Sequence, residues 1–119
     1  MAHGNGIVEV LEAGLQAAGL RGKVLSHNVA NLHTPGYRRG EVRFEELLAK
    51  AMAGGGDLDM RDVRPEVVRP GNTAVDPTGN DVDLNVEIGQ MIENGEQTRV
   101  MLRSLAKLYS QVELATRDR

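Results

Sequence analysis

Ser26-His27-Asn28-Val29-Ala30-Asn31-Leu32-His33-Thr34-Pro35-Gly36-Tyr37-Arg38-Arg39 marks an abrupt change from helix-forming to turn-forming residues. Pro35 pushes Thr34 out of the α region, so a helix arriving from upstream must stop here. Thr34-Pro35-Gly36-Tyr37 predicts a type II turn, with Pro at its second position and Gly supplying positive φ at its third. Asn31 suits the helix exit, either in the left-handed region or by bonding nearby backbone. The turn is expected to send the chain back with Tyr37 packed on the helix end.

Upstream of this turn the chain has a regular apolar seam. Val8, Leu11, Leu15, Ala18, Gly22, Leu25, Val29 and Leu32 alternate at spacings of 3 and 4, the stripe of a heptad helix. Such a helix spans roughly 38 Å. Ala18 and Gly22 would let a partner helix approach closely. Gly14, Gly19 and Gly22 each cost about 1 kcal/mol of helix propensity relative to Ala, so a partner is expected to stabilise it.

A second seam closes the chain. Leu84, Ile88, Met91, Gly95, Thr98, Leu102, Leu105, Tyr109, Val112 and Thr116 alternate in the same way, with Asp83 as the predicted N-cap. Acids gather in the first half of this helix and Arg99, Arg103, Lys107, Arg117 and Arg119 in the second, an order that suits the helix dipole. Two seams at opposite ends of a short chain predict that the termini pair. Leu11, Leu15, Ala18, Leu25 and Val29 are expected to face Ile88, Met91, Leu102, Leu105 or Tyr109. The pair reads either as a helical hairpin with a long loop or as a coiled-coil subunit that packs beside copies or relatives.

Between the seams lie all four prolines and the Gly54-Gly55-Gly56 run. Residues 41–52 read as a short helix ended by those glycines, or Val42 begins an extended piece. Val63, Val67, Val68 and Val75 are candidates for a short hairpin. The predicted fold is mainly α: N- and C-terminal heptad helices paired as a coiled-coil-like hairpin, with a turn, a short helix and an irregular middle. Its segments are a heptad helix over 1–33, the turn and short helix over 34–53, an irregular middle over 54–80 and a heptad helix over 81–119, together one structural unit.

Composition narrows the chemistry. The 119 residues include no cysteine, which excludes a disulfide framework and a thiolate metal site. The net charge of −3 argues against a nucleic-acid binder, and no apolar run is long enough to cross a membrane. Aromatic residues are only Tyr37, Phe44 and Tyr109, so a core built from this chain is thin. The first residues lack the basic and apolar regions of a cleaved secretory signal, which predicts a cytoplasmic protein or export that leaves the signal uncleaved. His27 and His33 are six apart rather than the four that places two ligands on one helix face. Asp81-x-Asp83-x-Asn85 fails as a calcium loop at Val86 and Ile92. Ser26 and His27 are adjacent and point apart on a helix, so no nucleophile–base pair is implied. No catalytic residue, cofactor site or metal site is expected.

Asn28-Val29-Ala30-Asn31-Leu32-His33-Thr34-Pro35-Gly36-Tyr37 resembles the N-terminal signature of bacterial flagellar axial proteins, the rod and hook family. The matching motif positions are Asn28, Ala30, Asn31, Thr34, Pro35, Gly36 and Tyr37. Tyr37-Arg38-Arg39 followed by Val42-x-Phe44-Glu45-x-Leu47-Leu48, and Gly79-Asn80-Asp81-Val82-Asp83-Leu84-Asn85-x-Glu87, look like a short proximal rod protein of the basal body. The other short proximal type and a cytoplasmic helical-hairpin adaptor are the alternatives. The resemblance implies a structural, non-enzymatic subunit, exported through the flagellar type III apparatus without a cleaved signal and assembled in the periplasm into a torque-transmitting rod. Implied partners are copies of itself, other rod proteins, and basal-body ring and export-gate components. With assembly implied, the turn is expected to present Tyr37, Arg38 and Arg39 to a neighbouring subunit, against Asp76, Asp81, Asp83 and Glu87 of a copy. The isolated chain is expected to be monomeric and loosely ordered at its ends.

Overall fold

The computed structural model describes residues 6–54 and 60–117. Gly55 and Gly56, expected to help end the short helix, and the terminal Asp118 and Arg119 lie outside the described residues. In chain order the elements are α1 (Gly6–Ala30), β1 (Glu41–Arg43), α2 (Glu45–Ala53), one turn of 3-10 helix (Met60–Asp62), β2 (Glu66–Val68) and α3 (Leu84–Arg117). The long helices α1 and α3 pack together, and they run antiparallel: Asn28 meets Glu87, Ala18 meets Asn94 and Glu12 meets Tyr109. The chain is elongated. Its radius of gyration is 18.0 Å, against about 13–14 Å for a compact chain of this length.

The two faces of α1 have different partners. One meets α3. The other meets the middle of the chain, where Ala17, Phe44 and Val63 form a buried cluster flanked by Ala13, Leu47, Leu48, Ala51 and Met60. This is why adjacent positions such as Ala17 and Ala18, or Val24 and Leu25, are both buried. A single heptad stripe describes only the α3 side.

In the middle the chain takes the extended alternative at Val42: residues 41–43 are strand, and the short helix α2 begins at Glu45. The cause is pairing: β1 and β2 are antiparallel with Glu41 opposite Val68, Val42 opposite Val67 and Arg43 opposite Glu66. That turns Val42 inward, where it is buried. Of the valines expected to form their own hairpin, Val67 and Val68 supply one strand, β2, Val63 joins the buried cluster and Val75 is exposed.

On α3 the inward stripe is Glu87, Met91, Asn94, Thr98, Met101, Leu105 and Leu108, all buried or half-buried. It shares Met91, Thr98 and Leu105 with the expected seam. Ile88, Leu102 and Tyr109 are exposed, at 43 %, 50 % and 50 %. Apolar periodicity selected the flank of the interface, because two of the inward positions hold the polar Glu87 and Asn94. Asp83 caps α3 as expected, its carboxylate accepting from Asn85 N at 3.0 Å. Gly95 lies within an unbroken helix.

These placements separate two leucines that sequence treats alike. Leu25, 2 % exposed, is expected to cost about 2–5 kcal/mol of stability as Leu25→Ala. Leu102→Asp is expected to change stability by no more than about 0.5 kcal/mol. Urea denaturation of the two full-length variants checks both.

Candidate functional site

The site grows out of the turn. Tyr37 N donates to Thr34 O at 3.2 Å and Gly36 has φ +75°, the expected type II geometry. Helix α1 ends through side-chain bonding: Asn31 Nδ2 donates to His27 O at 2.8 Å and Thr34 Oγ1 donates to Asn31 Oδ1 at 3.0 Å. No described residue other than glycine has positive φ, so of the two exits open to Asn31 the chain takes the one that avoids the left-handed region.

The segment before α3 closes over this turn. Gly36 N donates to Thr78 O at 2.8 Å. Asn80 Nδ2 donates to Asn31 O at 2.9 Å and to Thr34 O at 2.8 Å, capping carbonyls that the helix end leaves free. Asp76 shapes that segment from inside, its Oδ1 accepting from Thr78 N at 2.8 Å and Asn80 N at 3.1 Å.

Behind the turn is a buried polar network. Asn28 and Glu87 are fully buried, and Arg39 is 4 % exposed. The Asn28 amide pairs with Gly40 as a peptide would: Gly40 N donates to its Oδ1 and its Nδ2 donates to Gly40 O, both at 2.9 Å. The same Nδ2 donates to Glu87 Oε1 at 2.9 Å, and Tyr37 Oη donates to Asn28 Oδ1 at 3.1 Å. A side chain on Gly40 would meet Val24 Cγ1 at 3.1 Å, so the close approach favours glycine. Arg39 Nε donates to Glu87 Oε2 at 2.7 Å and its Nη2 to Glu87 Oε1 at 3.2 Å, a two-point pair. Its Nη1 pairs with Glu41. These bonds hold the Arg39 guanidinium above its ordinary range, the Glu87 bond contributing most and outweighing the burial that opposes it.

Asp81 completes the network. It accepts from Arg39 N at 2.6 Å, Thr73 Oγ1 at 2.7 Å and Arg38 Nε at 3.1 Å. Burial pushes its carboxyl up, and those donors more than reverse the effect, so it is held below the usual carboxylate range. Arg69 adds an outer layer, over the Tyr37 ring at 5.2 Å and hydrogen-bonded to Arg38 O. The expectation that Arg38 and Arg39 reach acids of a neighbouring subunit is therefore corrected: Asp81 and Glu87 of the same chain hold them. Arg39 follows a turn that aims it inward, and a buried guanidinium needs its partner within the fold.

The network joins segments 28–41 and 73–87. The chain that carries it is similar along most of its length to three curated proteins, each described as "Flagellar basal body rod protein FlgB". The one from Bacillus subtilis (strain 168) is 29 % identical over 76 % of this chain and 77 % of its own. The one from Borreliella burgdorferi is 25 % identical over 84 % and 87 %, and that from Borrelia hermsii 27 % over 73 % and 78 %. This chain is similar to the FlgB flagellar basal body rod proteins. No family model matches it. The Tyr37–Arg39 and Gly79–Glu87 segments, which carry the resemblance to rod proteins, are the two segments the Arg39–Glu87 pair ties together.

Of the motif positions, Asn28, Asn31, Thr34, Gly36 and Tyr37 make the hydrogen bonds of this clasp, whereas Ala30 and Pro35 add no side-chain bond to it. Of the helix-packing positions, Leu25 is buried, and Leu11, Leu15, Val29, Met91 and Leu105 are half-buried. Sequence reasoning missed Gly40, Asn80 and the inward roles of Arg39, Asp81 and Glu87. Among the described residues no cluster of His, Cys, Asp and Glu is arranged to hold a metal ion, and no helix is long and apolar enough to cross a membrane.

Two outcomes test the clasp. Glu87→Ala strands a buried guanidinium and is expected to cost about 3–5 kcal/mol, whereas Arg38→Ala, whose side chain is 35 % exposed, costs less; chemical denaturation ranks them. Because the Asp81 and Asp76 carboxyls are both depressed, their contribution is complete above the unfolded-state value and is lost as pH falls below about 4. Thermal melts are expected to hold level from about pH 8 to 5 and drop below about pH 4, with the drop reduced in Asp81→Asn.

Proposed function

We propose that this chain is a structural subunit of the proximal rod of the bacterial flagellar basal body. It assembles by helix packing with copies of itself and other rod proteins, beside ring and export-gate components, and the assembled rod transmits torque. It reaches the periplasm through the flagellar type III export apparatus without a cleaved signal. The role is mechanical and not enzymatic.

The observation that carries this reading is the apolar flank of α3. Leu84, Ile88, Ile92, Leu102 and Tyr109 are each 39–60 % exposed along one side of a long helix. A stripe of that kind is the surface a neighbouring helix covers. The elongated form and the similarity to FlgB proteins along most of the chain support the same role.

Basal bodies purified from the host are expected to contain the chain, detected by mass spectrometry; its absence there overturns the proposal. Leu102→Asp, which leaves the fold intact, is expected to remove the chain from basal bodies and to stop swimming at equal expression.

A further inference from the structure

One polar side chain in the helix interface is left incomplete. Asn94 is 9 % exposed. Its Nδ2 donates to Ala18 O at 2.9 Å, and because a carbonyl only accepts, this fixes the amide orientation. Its Oδ1 is then buried without a hydrogen-bond partner, a costly state for an acceptor. Asn94 lines a pocket of about 350 Å³ with Arg21, Glu45, Gln90, Glu93 and Gln97. Arg21 is already engaged by Glu45 at 2.8 Å and by Val42 O at 3.2 Å. Glu93 accepts from Gln97 Nε2 at 3.4 Å and pairs with no cation among the described residues. The pocket thus offers an uncompensated carboxylate and the Gln97 oxygen, and its wall includes Asn94, whose orphaned amide oxygen is closed to solvent in the free chain. These are acceptors for a cationic donor.

The same helix carries the complement. Arg99, Arg103 and Lys107 are exposed at intervals of four along α3 and make no ion pair among the described residues. Arg103 lies ten residues beyond Glu93, roughly 15 Å along a rigid helix. Arg103 therefore cannot reach the pocket of its own chain.

We propose that the Asn94 pocket receives Arg103, from the basic half of α3, of a second copy of this chain. The guanidinium pairs with Glu93 and donates to Gln97 Oε1, and a small shift of the pocket wall as it enters opens Asn94 Oδ1 to its fork of N–H groups. Pocket and cation are different patches of one surface, so the contact is head-to-tail and repeats without closing, which is the interface a filament needs. This inference rests on the assembly reading above and names a contact within it.

The chain has no cysteine, so introduced ones report without background. The full chain carrying Glu96→Cys and Ala106→Cys is produced in the host, and purified basal bodies are treated with a short bismaleimide too short to join the two sites within one helix. A dimer of this chain is expected. Adding Glu93→Lys is expected to lower the cross-linked fraction about tenfold, and adding Arg103→Glu to that variant to restore it. Recovery in basal bodies without the dimer, or a dimer indifferent to Glu93→Lys, overturns the pocket contact and leaves the rod reading standing. A product joining this chain to a different protein overturns the assignment to a second copy. Absence from basal bodies overturns both.

Discussion

The Arg39–Glu87 pair is the constraint on which the rest of the fold depends. Burying either charge alone is prohibitive, and even the pair is stabilising only when its remaining donors and acceptors are satisfied. Asn28, Glu41 and Gln90 supply those partners, and Asp81 holds the backbone N–H of Arg39. They come from α1, β1, the segment before α3, and α3 itself. Sliding α3 by one turn, or rotating it to bury Ile88 instead of Glu87, would break the set. The network therefore fixes both the height and the rotation of α3 against α1, which an apolar seam of interchangeable residues does weakly.

The turn that opens the motif has its purpose in this constraint. Pro35 and Gly36 set a reversal that aims the Arg39 side chain back under the end of α1, while Asn80 and Thr78 hold the reversal from the other side. The motif is an intrachain clasp. Its charges are consumed within the subunit, so the charged groups left for a neighbour lie outside the clasp, those on α3 among them.

Burial is shared between apolar and polar groups to an unusual degree. The buried apolar residues are mostly small, Ala17, Ala18, Val24, Val42 and Val63 with Leu25 and Phe44, and nearly as many polar residues are buried beside them. Meanwhile large apolar side chains, Ile92, Leu102, Val112 and Leu114 among them, are exposed along α3. A chain that keeps its bulky apolar groups outside and its specific polar contacts inside has a defined shape and a thin core. Much of its apolar surface is available to other helices.

The sequence by itself determined the two long helices, their pairing, the cap at Asp83 and the turn at Thr34–Tyr37. These are local matters of apolar period, proline geometry and backbone sterics, legible from neighbours in the chain. It did not determine which side of α3 faces α1, since Glu87 and Asn94 look solvent-bound until Arg39 and Ala18 O are placed against them. Nor did it pair β1 with β2, because three-residue strands have no period to read and their register depends on a partner more than twenty residues away. Only the tertiary structure turned Arg38 and Arg39 inward. A charge is buried when a distant carboxylate and its hydrogen-bonding neighbours converge on it, and that convergence is a property of the assembled chain rather than of any stretch of it.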